Sequence, residues 1–395
     1  MARLPLPQMI SLPPPREGRG CEYPVYIGSG VRDELGALVA ERQAESGLVV
    51  ADAALSAHAT ELQAQLRRVL KRVEVVLLPA GERTKDFRRL FAIYQALARL
   101  EADRRSLLFA LGGGVIGDVT GFVAATFMRG IRWIGIPTTL LAQADSAIGG
   151  KTGVNHPSGK NLIGAIHQPE LVLCDLDFLR TLERRDRVSG LAEIIKCGLA
   201  LDPELLVFLE QHWPSILNLE EKPTTYAIGR AVHCKGRLVR EDEFERLGRR
   251  ELLNFGHTFG HALEALTGFV RYRHGEALIH GMRFALHLSQ RVEMLQSGDA
   301  ARAERLLARL DVPPLPCRLD CDRLIEFLRH DKKARNGVIH FVLLDGLGAA
   351  RKSRPIPESQ IREAMASFLA SLPPAGRPPI AQRTSAKKGI CHGHG

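Results

Sequence analysis

The segment Ser106-Leu107-Leu108-Phe109-Ala110-Leu111-Gly112-Gly113-Gly114-Val115-Ile116-Gly117-Asp118 joins an uninterrupted apolar run to a cluster of glycines. A short continuous apolar run reads as a strand buried on both faces, the kind that parallel sheets contain. Glycines directly after it let the backbone turn tightly, and the free N–H groups of a following helix favour a pyrophosphate or another anion. A tight strand-to-helix turn with no ligand explains the same glycines, and the spacing is not that of G-x-G-x-x-G.

Outward from this point, strand-like runs recur at Tyr23–Ile27, Gly47–Ala51, Val73–Leu78, Ile131–Ile136 and Leu171–Cys174. Apolar residues at helical spacing fill Val31–Arg42, Ala54–Lys71 and Asp86–Glu101 between them. This alternation predicts an α/β domain with a largely parallel sheet covered on both faces. Beyond residue 180 the pattern turns helical, over Arg187–Ala200, Pro203–Gln211, Thr225–Glu241, Leu252–Leu266, Glu276–Gln296 and Ala300–Leu310, with one strand-like run at Val338–Leu344. The expected division is a disordered Pro- and Arg-rich extension over 1–20, an α/β domain over 21–180, a helical domain over 181–372 and a disordered basic tail over 373–395.

The formal charge of +10 invites a nucleic-acid reading, but four of these excess charges lie in 375–395 and two in 1–20. The remaining bases are interspersed with acids and not interleaved with aromatics, which argues against nucleic acid and for an anionic small molecule. No apolar run approaches the roughly 20 residues of a membrane span. Prolines at 5, 7, 13, 14 and 15 interrupt any signal-peptide core, and cytoplasm is the expected compartment. Cysteines at 21, 174, 197, 234, 317, 321 and 391 form no paired framework and fit reduced thiols.

Strand-end loops are where ligands sit in open α/β sheets. Pro137-Thr138-Thr139, Asp145-Ser146 and Gly149-Gly150-Lys151-Thr152-Gly153 follow the Ile131–Ile136 run. Asp52, at the end of the second strand, is placed to accept from an adenine ribose or to cap the next helix. In Asn254-Phe255-Gly256-His257-Thr258-Phe259-Gly260-His261, with Glu264 beyond, helical spacing puts His257, His261 and Glu264 on one face. Two histidines one turn apart can bind zinc or pack as core histidines, and the absence of H-E-x-x-H disfavours a metalloprotease. His274-Gly275-Glu276 adds an imidazole, and Glu193 and Lys196 share a face in Gly190-Leu191-Ala192-Glu193-Ile194-Ile195-Lys196. Cations at Arg129, Lys151, Lys160, Lys196, Lys235, Arg250, Lys332 and Lys333 accompany these groups. Together they suit a phosphate and a carboxylate.

From about residue 23 to 345 the chain resembles the 3-dehydroquinate synthases, within the sugar phosphate cyclases. The likeness is dense at GGGVIGDVTGFVAATFMRG, IPTTLLAQADSAIGGKTGVNHPSGKNLIGA, GLAEIIKCG, and LLNFGHTFGHALE followed by HGEA. It implies a Rossmann-like N-terminal domain binding NAD, a mostly α-helical C-terminal domain, a site between them and a homodimer. It implies zinc or cobalt ligands Glu193, His257 and His274, moving His261 to proton transfer. It implies catalytic and substrate contacts at Asp145, Lys151, Asn161, Lys196, Lys235, Arg250, Asn254 and one of Lys332 or Lys333, with Arg129 reaching a neighbouring subunit's phosphate site. NAD contacts would be Asp52, Gly81, Glu82, Lys85, Gly113, Gly114, Val115, Ile116, Gly117, Asp118, Thr138, Thr139, Lys151, Lys160, Phe178, Leu179, Arg180 and Thr181. The chain departs from the pattern by one extra residue between Asp242 and Arg250, and by Cys197 where an aromatic residue is frequent.

The activity so implied turns 3-deoxy-D-arabino-heptulosonate 7-phosphate into 3-dehydroquinate and phosphate, by NAD-dependent oxidation, phosphate elimination, reduction and intramolecular aldol closure. A cyclase forming a valiolone- or inosose-type ring, or a metal-dependent polyol dehydrogenase on the same fold, are the alternative expectations.

Overall fold

The apolar run Ser106–Leu111 lies almost wholly in a strand of the computed structural model, which describes residues 8–12, 22–316, 319–330, 339–353 and 355–372. The N-terminal elements are strands β1 (Gln8–Leu12), β2 (Tyr23–Gly28), β3 (Ser46–Asp52), β4 (Arg72–Leu78), β5 (Leu107–Gly112), β6 (Arg132–Pro137), β7 (Lys151–His156), β8 (Gly159–Ile166) and β9 (Leu171–Asp175), with helices α1 (Leu35–Ala40), α2 (Ser56–Leu66), α3 (Phe87–Arg99) and α4 (Gly114–Thr126). Among the described residues seven strands form one sheet in the order β1-β2-β9-β6-β5-β3-β4. All neighbours pair in parallel except β1 with β2. Every residue of β5 is buried, as expected for a central strand covered on both faces.

Strand order reverses between β3 and β5. From β3 the chain crosses to β4 at one edge, and from β5 it crosses to β6 on the other side. The crevice opened at such a switch point receives ligands in doubly wound sheets. Asp52, Gly112 and Gly113 border it.

Three expectations change here. Residues 8–12, inside the segment expected to be disordered, form β1 and pair with β2 from Gln8↔Ile27 to Leu12↔Tyr23. Leu12 is buried and its Cδ2 would lie 2.2 Å from a Cβ on Gly236, so packing against a helix retains a strand that composition alone does not announce. Lys151, Thr152 and Gly153, read as part of a strand-end loop, instead begin the antiparallel hairpin β7–β8. The strand expected over 338–344 is realised at β10 (Val342–Leu344), paired with β11 (Ala350–Lys352).

The helical half comprises α5 (Arg184–Ala200), α6 (Pro203–Leu217), α7 (Glu221–Glu241), α8 (His257–Leu266), α9 (His274–Arg291), α10 (Ser297–Leu307), α11 (Cys321–His330) and α12 (Glu358–Ser371). One apolar core joins these helices to β2 and β9. The helix expected over 252–266 is broken: Arg250–Asn254 is a short 3-10 turn, and Gly256, at φ 79°, precedes α8. Close approach explains the break. A Cβ on Gly281 of α9 would stand 1.9 Å from the Gly256 carbonyl oxygen, a separation that only glycine tolerates. The two helices bearing the C-terminal histidines are thereby drawn together.

His280 sits on the buried side of α9, 3% exposed, with Nε2 2.9 Å from the Pro313 carbonyl oxygen and an edge contact to Tyr272. Its Nδ1 has no partner among the described residues. Burial, aided by Arg283 and Arg271 and opposed by the Pro313 carbonyl and Glu276, lowers its pKa to about 4. The unfolded chain therefore binds a proton near pH 6.5 that the folded chain refuses until about 4. Stability is fully present above 6.5 and falls as pH drops through that window, by about 3 kcal/mol at its lower end. His280→Gln is expected to flatten the pH dependence of urea unfolding between 6.5 and 4, with an unchanged slope counting against this account.

Candidate active site

Helix α5 carries Glu193 and Lys196 one turn apart, and both are almost fully buried. Lys196 Nζ is 2.5 Å from Glu193 Oε2, while Glu193 Oε1 is 3.3 Å from His257 Nε2 and 3.2 Å from His274 Nε2. Ligand atoms about 3.3 Å apart suit a tetrahedral ion with arms of roughly 2.0–2.1 Å. Each imidazole also has an outer partner: His274 Nδ1 lies 3.3 Å from Glu264 Oε2, and His257 Nδ1 lies 3.4 Å from the Phe255 carbonyl oxygen. Such partners orient metal-ligating histidines and leave Nε2 for the ion. His261 joins the group, since ligand atoms of His257, His261 and His274 all lie within 4.8 Å of one another. Glu264, which helical spacing placed beside His257 and His261, serves His274 instead. The donor set fits a divalent metal.

Electrostatics favour the forms that a metal needs at Glu193 and His257, and oppose them at His274. Burial alone would raise the Glu193 pKa, but Lys196 and His257 hold it well below the ordinary carboxylate range. Burial lowers the pKa of His257, keeping the ring neutral. At His274 burial is outweighed by hydrogen bonds to Glu193 and Glu264, which raise the pKa to about 10. Metal-free, the site holds a proton where the ion would sit.

Asp145 lies beside this centre on the π-helical turn Ala142–Ser146, with Lys235 Nζ of α7 2.9 Å from its Oδ1 and 2.8 Å from its carbonyl oxygen. Burial opposes ionisation of Asp145, but Lys235 and Lys196 keep its pKa low. Lys151 pairs with Glu245, and Arg250 Nε stands 3.5 Å from the same Glu245 oxygen. Arg250 is 2% exposed and also donates to the Glu243 carbonyl oxygen at 2.8 Å. The lengthened stretch after Asp242 thus places an acid between two of the expected anion contacts. Sequence reading did not single out Glu245. Its one available signal was the acidic run 241–245 leading into Arg250. Asp242 shapes the stretch by accepting the backbone N–H groups of Arg246, Leu247 and Arg249.

The glycine turn borders a cleft lined by Gly112, Gly113, Gly114, Gly117, Asp118, Ser146 and Lys151, among others. A Cβ on Gly117 would meet nothing within 4 Å, so the first turn of α4 faces open space. Ser146 Oγ is buried without a partner among the described residues. Open helix N–H groups and an unmet hydroxyl fit a phosphate-bearing cofactor. Ile116 is buried in the core behind the turn, while Val115 stands in its first turn. Thr138 N–H donates to the Gly112 carbonyl oxygen at 3.0 Å, and Thr139 Oγ1 accepts from Ala142 N–H at 3.2 Å. Asp52 accepts from Ala54 N–H at 2.9 Å, the capping role.

Lys85 is buried and links Asp118 at 2.5 Å, Asn161 at 2.9 Å and Glu82 at 3.6 Å. Burial raises the Asp118 pKa against the pull of Lys85. Gly81, at φ 94°, faces open space before Glu82. Other expected residues lie apart from the glycine cleft. Phe178 lines a separate cavity with Arg32 and His58. Leu179 is buried, Thr181 Oγ1 donates to the Phe178 carbonyl oxygen, and Arg180 pairs with Asp177. Arg129 is exposed after α4 at φ 65°. Lys160 stands over the ring of Phe269. Asn254 ends the 3-10 turn before α8, and Lys332 and Lys333 lie outside the described residues.

Known proteins match this chain over both of its halves. Residues 75–189 match the model of the 3-dehydroquinate synthase N-terminal region, and 190–334 match the C-terminal one. The 3-dehydroquinate synthase of Laribacter hongkongensis strain HLHK9 is 42% identical over 347 residues, covering 87% of this chain and 96% of that protein. Among solved structures, 2-deoxy-scyllo-inosose synthase with carbaglucose-6-phosphate, NAD+ and Co2+ has a TM-score of 0.81 at 24% identity, covering 91% of this chain and all of that one. The 2-epi-5-epi-valiolone synthase ValA of Streptomyces hygroscopicus subsp. jinggangensis 5008, with NAD+ and Zn2+, has a TM-score of 0.77 at 29% identity, covering 88% and 97%. Matches across both halves, with near-full coverage of a relative at this identity, place the chain in the 3-dehydroquinate synthase family.

Proposed function

We propose that this chain converts 3-deoxy-D-arabino-heptulosonate 7-phosphate to 3-dehydroquinate and phosphate, with NAD at the glycine turn and a divalent ion at Glu193, His257 and His274. The observation that carries this reading is the convergence of Glu193 with His257 and His274 at 3.2–3.3 Å, beside the Lys196, Asp145 and Lys235 cluster. When bound, the metal supplies Lewis-acid polarisation of a substrate hydroxyl and NAD supplies reversible hydride acceptance, so that cofactor is regenerated within one turnover.

The chain's own residues bind, orient and move protons. Lys196, held as an ammonium between Glu193 and Asp145, stabilises negative charge developing on substrate oxygen next to the metal. His261, at the exposed end of the imidazole group, exchanges protons with substrate. Lys151, Arg250, Asn254, Asn161 and Lys235 would hold the phosphate and carboxylate so that successive steps start from one geometry. Lys332 or Lys333 would add a further cation. Exposed Arg129, in its left-handed backbone conformation, suits an arm that reaches a second subunit's phosphate site, and a homodimer belongs to the proposal. So does cytoplasmic location. No helix among the described residues is long and apolar enough to cross a membrane.

The test uses the heptulosonate phosphate with less than one equivalent of NAD per substrate. Phosphate release far exceeding the added NAD, with no net NADH, is expected. Stoichiometric NADH would indicate a polyol dehydrogenase, and turnover only of substrates lacking the carboxylate would indicate a different cyclase.

A further inference from the structure

The β7–β8 hairpin is held at its far end on two sides. Toward the sheet, Asn155 N–H donates to the Lys85 carbonyl oxygen at 3.0 Å, Asn155 Nδ2 donates to Glu82 Oε1 at 2.9 Å, and Lys85 Nζ donates to Asn161 Oδ1 at 2.9 Å. Toward the helices, Lys160 Nζ lies 3.8 Å from the ring centroid of Phe269. An ammonium within about 6 Å of an aromatic face is attracted by the ring quadrupole.

Phe269 is unusual in its own right. It is 50% exposed and adopts φ 59° after Gly268 at φ 66°. A left-handed backbone is costly for a bulky residue, and burial does not compensate at a half-exposed position. Its N–H donates to the Glu264 carbonyl oxygen at 2.8 Å, wrapping the end of α8, and the Glu264 side chain meets His274. Phe269 is therefore fixed to the helix that carries His257 and His261, while Lys160 sits beside Asn161 on the hairpin joined to Lys85.

We infer that Phe269 is a positioning residue: its ring clasps Lys160 and holds the β7–β8 hairpin between the proposed cofactor cleft and the metal-bearing helix. The cofactor part rests on the function proposed above. The hairpin part does not.

The test compares Phe269→Leu, Phe269→Ala and Phe269→Trp in the metal-loaded full chain. Leucine keeps apolar bulk but has no quadrupole, whereas tryptophan keeps the quadrupole. Amide hydrogen exchange over 151–166, measured without NAD, is expected to quicken in the leucine and alanine variants and to stay at the wild-type rate with tryptophan. NAD affinity is expected to fall roughly three- to tenfold in the leucine variant and to recover with tryptophan. Wild-type exchange in the leucine variant, or quickened exchange with tryptophan, overturns the clasp. Quickened exchange in the leucine variant with no measurable NAD binding by any of the proteins supports the clasp and overturns the cofactor assignment.

Discussion

His274→Ala is expected to take the bound metal from about one ion per chain to near zero and to abolish turnover, while His261→Ala retains the ion and loses rate. The cluster contains three imidazoles within 4.8 Å of one another, so proximity alone does not choose among them. Two features do. Glu193 reaches His257 and His274 at 3.3 and 3.2 Å, and both have Nδ1 partners, Phe255 and Glu264, that leave Nε2 for an ion. His261 stands at the exposed edge of the group, where proton exchange is served better than ligation. Metal analysis of purified variants decides the matter, and metal retained by His274→Ala but lost from His261→Ala would reverse the assignment. Hydrogen bonds to Glu193 and Glu264 outweigh burial and raise the His274 pKa to about 10, so a proton must leave this ring before a metal binds. Apparent metal affinity should therefore rise with pH through neutrality, about tenfold per unit while this proton is the one displaced.

Lys196→Met should have the second large effect. Lys196 is 2% exposed and pairs at 2.5 Å with Glu193, itself 1% exposed. Burial disfavours its ammonium, yet Glu193 and Asp145 outweigh that penalty and raise its pKa above the ordinary lysine value. Removing one member of a buried pair leaves the other charge uncompensated, at about 3–5 kcal/mol. The metal-free variant should lose stability of that order in urea unfolding, and less when metal neutralises Glu193. Turnover should fall roughly 100-fold or more, since a preorganised charge beside the reacting oxygen is lost. Arg72→Met, which breaks an exposed pair with Glu101, serves as a control expected to cost about 0–1 kcal/mol. Equal losses in the two variants would show that the Glu193 pair is not electrostatically special.

Six strands of the sheet were legible because parallel strands are continuous apolar runs, and observed bounds such as Leu107–Gly112 differ from the reading by about a residue. Strand β1 was not legible. Its pairing partner lies across nine residues outside the description, and its burial comes from Gly236 on a distant helix. The β7–β8 hairpin was missed for a related reason. Its glycines and polar residues carry no alternating pattern, and its register depends on contacts with 82–85 and α4.

At the site, residue types were readable and partners were not. The local sequence announced His257, His261 and the glycine turn, since helical periodicity and strand-to-helix punctuation are short-range properties of the chain. It could not show that Glu193 approaches two imidazoles 64 and 81 positions away, or that Glu264 turns to His274. Nor could it place Glu245 between Lys151 and Arg250. Those relations follow from helix packing, with Gly281 admitting α8 against α9 and burial removing the water that would otherwise solvate each charge. Sequence by itself determined the doubly wound sheet, the family and the kinds of groups available. Only the tertiary structure decided which charges meet, because ion pairs and metal donor sets depend on distances of a few ångströms between segments far apart in the chain.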